Sequence, residues 1–186
     1  MTKILAIGGT HRPGSSTELT MRAVANHCEQ MGAEIELFGG EQLSKFPIFG
    51  TAESEIHARG RELAEAAHSA DAVLIASPGY HGGVSGLIKN SLDYLELFAD
   101  RKPAYLENKV VGLIATAYGS QAAMSTLQSL RTTVHALRGW PTPLGIAAVC
   151  RSDQFDANGS PEDGRLREQA RILAGQMLQG TEMICG

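Results

Sequence analysis

Residues 3–17 read KILAIGGTHRPGSST. Ile4, Leu5, Ala6 and Ile7 form an apolar, partly β-branched run, which predicts a short buried strand. Gly8 and Gly9 then let the chain turn with no Cβ in the way. Thr10, Arg12, Ser15, Ser16 and Thr17 follow, a cluster of hydroxyls around one guanidinium. Ser15 and Glu18 have the S-x-x-E spacing of a capping box, so a helix starts there. Free backbone N–H groups and the positive end of that helix dipole would point at one spot, an anion site. The plainer alternative is a glycine turn with an exposed arginine and an ordinary helix cap.

Outward from this stretch, strands and helices alternate. Further strands are predicted at 34–38, 72–76, 109–116 and 144–149. Helices are predicted at 17–31, 54–69, 84–98, 121–138 and 161–179, with Pro161 at a helix start. Residues 39–52 read as loop, whose FPIF cluster packs onto the body. Five short apolar strands with helices between them predict an α/β fold, a doubly wound five-stranded parallel sheet in the order 2-1-3-4-5. Residues 1–186 form one domain in this reading. Glycine-rich turns follow the first, third and fourth strands, so they converge at the C-terminal sheet edge where such folds bind ligands.

The bulk composition narrows the function. The chain has 186 residues and 43% hydrophobic content, enough to bury a core. Its net charge of −4 argues against a general nucleic-acid or anionic-membrane partner. No apolar run approaches the roughly 20 residues of a membrane helix, and no leader sequence is expected at the N-terminus. Cys28, Cys150 and Cys185 are far apart and fit neither a zinc site nor a disulfide framework. A reducing, cytoplasmic setting is the expectation, with no metal site.

The type of phosphate follows from what the turns lack. Gly9 and Gly14 have Walker A spacing, but Ser15 stands where lysine is required. The first turn is not G-x-G-x-x-G, which disfavours a Rossmann dinucleotide site. A monophosphate held by hydroxyls, backbone N–H groups and the forked Arg12 remains. The second turn, SPGYHGGVSG at 77–86, adds backbone donors, Tyr80 and His81, suited to a planar heterocycle with ring acceptors.

The pairing of GGTHRPGSST with SPGYHGGVSGLIKNSLDYL resembles the NADPH-dependent FMN reductase family, over nearly the whole chain. The resemblance implies a three-layer flavodoxin-like fold, FMN as cofactor and NAD(P)H as co-substrate. It implies hydride transfer through flavin N5 to a second small-molecule acceptor: free flavin, a quinone or an azo compound. Thr10, Arg12, Ser15 and Thr17 match the family's phosphate-binding positions, with Ser16 as an added donor. Pro78, Gly79, Tyr80, His81 and Gly82 match the turn lining the isoalloxazine ring. Thr116, Ala117, Tyr118, Gly119 and Ser120 match the loop on its other border. Thr10 replaces the usual serine, Gly79 stands where many members carry glutamate, and His81 where many carry asparagine. These departures leave substrate preference and subunit contact open.

No acid–base residue is assigned, because the cofactor supplies the hydride chemistry. His81 is a proton donor to a quinone-like acceptor or simply a loop histidine. Lys89 and Asp93 read as a helix-surface ion pair. The family commonly forms homodimers or homotetramers. The face carrying Tyr94 and Phe98 is then either a subunit contact or ordinary core. The competing reading is a flavodoxin-like electron carrier without nicotinamide activity, against which the low aromatic content of 5% and mild charge argue. A third is a phosphate-binding regulatory domain without flavin.

Overall fold

The computed structural model describes residues 1–51 and 56–185. The side chains of His57 and Cys185 lie outside the described residues, as do the first two positions of the helix predicted at 54–69. Strand β1 (Lys3–Gly8) is central, paired in parallel with β2 (Glu34–Gly39) and β3 (Ala72–Tyr80). Strand β3 pairs in parallel with β5 (Val110–Ala117). Beyond β5 lie β6 (Trp140–Pro141) and β7 (Ile146–Val149), both parallel to it. This is the order the alternation predicts, 2-1-3 followed by the fourth and fifth strands, with the fifth in two pieces.

The break in that fifth strand has local causes. Pro141 and Pro143 have no N–H to give a ladder. The Arg131 guanidinium donates to the carbonyls of Thr142 (3.2 Å) and Pro143 (3.0 Å). The Leu144 amide donates to Gln176 Oε1 instead of a neighbouring strand.

Alternation along β1 sends Leu5 and Ile7 to one face and Ile4 and Ala6 to the other. Helices α3 (Ile56–Ser69), α4 (Gly86–Asp93) and α5 (Ser120–Ala136) cover the first face with Leu63, Ile88, Leu92, Leu127 and Leu130. Helices α1 (Ser16–Gln30) and α6 (Gly164–Cys185) cover the second with Met21, Val24, Leu173 and Met177. A short helix, α2 (Gly40–Leu43), lies within the segment read as loop.

Other details correct or decide the sequence reading. Strand β3 runs on to Tyr80 because Gly79 and Tyr80 pair with a two-residue antiparallel strand, β4 (Gly83–Val84). The predicted helix at 84–98 ends at Asp93 and tightens into a 3₁₀ turn, Tyr94–Phe98. Tyr94 and Phe98 are core rather than a contact surface. The Tyr94 ring meets Phe46 and Phe49 edge-on at 5.4 Å, and its hydroxyl donates to the Pro47 carbonyl. Asn90 holds the same loop by accepting from the Phe49 amide and donating to the Pro47 carbonyl, each at 2.8 Å, while Ile48 of the FPIF cluster faces solvent. Finally, α6 starts at Gly164 rather than at Pro161, which forms an isolated bridge with Phe155. Asp163 caps it by accepting from the Arg165 amide.

Candidate active site

At the end of β1, Gly9 has φ 108°, a conformation only glycine adopts without strain. Its absent Cβ would stand 3.1 Å from the Gly40 amide, so β2's exit packs directly on the turn. Thr10 is buried and its hydroxyl closes the next turn, accepting from the Arg12 amide at 3.2 Å and donating to the Arg12 carbonyl at 3.1 Å. Ser15 caps α1 by accepting from the Glu18 amide. The Glu18 carboxylate reaches back to the Gly14 amide at 3.1 Å, one residue beyond the usual reciprocal bond of a capping box. Among the described residues, the amides of Ser16 and Thr17 have no acceptor and Arg12 has no ionic partner.

Thr17 and Thr116 join two of the turns. Their hydroxyls lie 2.6 Å apart and both residues are buried, which ties the start of α1 to the end of β5. The second turn is a β-hairpin. His81 (φ 53°) and Gly82 (φ 81°) form its two-residue loop, and positive φ at both positions is what a type I′ turn requires. The Ser125 hydroxyl of α5 donates to the Gly82 carbonyl at 2.7 Å and holds the hairpin down. A Cβ on Gly79 would sit 2.7 Å from Thr126 Oγ1, so glycine there allows α5 its close approach.

These parts enclose one cavity of about 770 Å³, within the range of small-molecule sites. Its walls include Thr10, Arg12, Ser15, Ser16 and Thr17 from the first turn, Pro78, Gly79 and Tyr80 from β3, and Thr116, Ala117 and Tyr118 from β5. Tyr80 is 51% exposed and Tyr118 82% exposed, so the two rings flank its mouth. Four of the sequence-derived candidates stand outside the lining. His81 and Gly82 are the hairpin loop, Gly119 is the N-cap of α5, and Ser120 is its first residue. Lys89 and Asp93 form the expected surface ion pair.

Residues missed in the sequence complete the cavity: Cys150, Arg151, Ser152 and Asp153, just after β7. The signal was available, since the fifth strand also exits at the C-terminal edge, but its loop lacks the glycines that marked the others. Burial pushes the Cys150 thiol upward, partly offset by the Thr20 and Ser16 hydroxyls, so it is a neutral wall and not a thiolate. No metal-binding cluster of His, Cys, Asp or Glu occurs among the described residues.

The chain resembles known proteins in sequence and in fold. An FMN-dependent NADPH-azoreductase of Staphylococcus aureus is 30% identical over 182 residues, spanning 95% of this chain and 93% of that one. The structure of FerB, a flavoenzyme NAD(P)H:(acceptor) oxidoreductase of Paracoccus denitrificans, superposes with a TM-score of 0.76. It is 18% identical and covers 99% of this chain and 97% of its own. A WrbA-like flavodoxin of Agrobacterium tumefaciens has a TM-score of 0.60 at 20% identity, with 97% of each chain covered. The last two establish the flavodoxin-like fold. The family model for NADPH-dependent FMN reductases matches residues 2–154, from the first strand through the fourth wall of the cavity, and the chain belongs to that family.

Proposed function

We propose that the cavity holds FMN, its phosphate against Thr10, Arg12, Ser15, Ser16 and Thr17 and its rings along Pro78, Gly79 and Tyr80, bordered by Thr116, Ala117 and Tyr118. The donor set supports the fit: an unpaired guanidinium, two acceptor-free amides at a helix N-terminus and several hydroxyls suit a phosphate dianion. The observation that carries the reading is that three strand exits open onto one cavity containing that unpaired arginine. His81, Gly82, Gly119 and Ser120 shape the two turns in this reading.

Family membership makes the chain an FMN-dependent NAD(P)H oxidoreductase, with FMN as cofactor and NADPH as co-substrate. Bound FMN supplies hydride chemistry between NADPH and a second acceptor. The chain's own residues bind and orient. Arg12 neutralises phosphate charge, the Thr17–Thr116 pair fixes α1 against β5, and backbone amides of the turns are available to ring acceptors. Tyr80 and Tyr118 offer aromatic surface to a planar acceptor at the mouth, and we favour an azo compound or quinone on that ground. We read the chain as one cytoplasmic domain that assembles as a homodimer or homotetramer. Tyr118, which lines the cavity and is largely exposed, supports such a contact.

The test is anaerobic titration of the purified yellow protein with NADPH. Bleaching of the flavin absorbance is expected. A bound flavin that does not bleach would favour the electron-carrier reading, and a protein that binds no FMN would overturn the site. Arg12→Ala should weaken FMN binding by about 1.5–3 kcal/mol, the worth of a hydrogen bond to a charged group.

A further inference from the structure

The proposed FMN position uses three walls of the cavity and leaves the fourth unexplained. That wall is the segment after β7. It is held at both ends: Cys150 is buried with its thiol 3.9 Å from the Thr20 hydroxyl, and Phe155 bridges to Pro161. Between them Ser152–Gln154 forms a 3₁₀ turn, and the Gln154 side chain accepts from the Arg151 amide at 2.8 Å. Arg151 is therefore presented by a fixed turn, exposed on the cavity's rim.

Its charge is uncommitted. Arg22, Arg138 and Arg171 pair with Glu18, Glu107 and Glu168. Arg131 and Arg167 donate to backbone carbonyls, and Arg101 lies over the Phe98 ring. Arg12 and Arg151 line the cavity, and among the described residues neither has a carboxylate within ion-pair distance. They hang from different strands. The loop carrying Arg151 leaves β7, three strands from β1, and Cys150 beside it touches the start of α1 through Thr20. Arg12, the hydroxyls and the α1 amides already make a full donor set for one phosphate monoester, which leaves Arg151 on the rim for a second anion.

Resting on that placement of FMN, we propose that Arg151 binds a phosphate of the incoming nicotinamide dinucleotide and makes the loop after β7 the co-substrate half of the cavity. Its fork matches two phosphate oxygens, and its rim position suits a ligand that arrives and leaves every cycle. The dinucleotide is polyanionic and the protein carries a net −4, so a local cation is needed where the two meet. Asp153 lies on the same wall.

The experiment compares the Arg151→Ala, Arg151→Lys and Arg12→Ala holoenzymes with the unaltered protein. It measures KM and kcat for NADPH and NADH, calorimetric NADP⁺ binding to the FMN-loaded protein, and FMN affinity. Arg151→Ala should raise KM for NADPH about tenfold or more and weaken NADP⁺ binding in step, with partial recovery in Arg151→Lys. It should leave FMN affinity within about twofold. An equal loss for NADH points to the bridging pyrophosphate, and a loss confined to NADPH to the 2′-phosphate; either supports the proposal. Unchanged NADP⁺ affinity, or loss of FMN in Arg151→Ala, overturns it. If Arg12→Ala leaves FMN affinity intact, the underlying cofactor placement has failed instead.

Discussion

Cys28 sits fully buried on α1, and burial, with a smaller push from the Glu29 charge, raises its thiol from 9.0 to about 12. The unfolded chain ionises this group near 9 while the folded chain keeps it neutral. Its contribution to stability is therefore complete below pH 9 and is lost as pH climbs from about 9 towards 12. Cys28→Val, close in volume, should flatten the fall of the urea midpoint over that interval; an unaltered slope would show that this thiol does not set it. At the same scale, the capping pair Ser15 and Glu18 was legible because its spacing encodes a hydrogen bond. Arg151 and Asp153 were not. A polar residue in an irregular loop has no periodicity, and its neighbours are set by where the strand ends in space.

Among the elements, the β3–β4 hairpin shows what a local pattern hides. Two of its paired positions are glycine, and none of Gly79, His81, Gly82 or Gly83 has the side chain of a strand former. Tertiary contact with α5 makes the hairpin, through Ser125 and Thr126. Gly79→Ala should cost about 1–3 kcal/mol of stability by overpacking against Thr126. Removing that hydroxyl with Thr126→Ala should restore part of the loss in the double variant, read by denaturant unfolding. Additive losses would mean the two positions do not compete for the same space. The apolar strands β1, β3 and β5 were readable from composition because both their faces are buried. The fifth strand's division was only half legible: Pro141 and Pro143 stand in the sequence, but the bonds from Arg131 and Gln176 on α5 and α6 do not show there.

For the molecule as a whole, cofactor binding and folding are one linked equilibrium. The cavity joins β1, β3, β5 and the loop after β7, so unfolding any of them releases the ligand. FMN at about 100 times its Kd should add roughly 2.7 kcal/mol, or roughly 5–10 °C in Tm for a domain of this size. Arg12→Ala should show a smaller shift at the same FMN concentration in a thermal melt. An equal shift would place the ligand elsewhere. The overall order of strands was visible in the alternation of strand and helix, because right-handed crossovers leave few topologies open.

The interrupted fifth strand has a bearing on life in a crowded solution. An uninterrupted margin would offer a regular row of vacant amides and carbonyls, a template on which a foreign segment could lie. Here two prolines have no amide to offer, and Arg131 and Gln176 engage backbone groups between the halves. Side chains from α5 and α6 close the outer border, and stray β-polymerisation along that side finds no continuous ladder to extend.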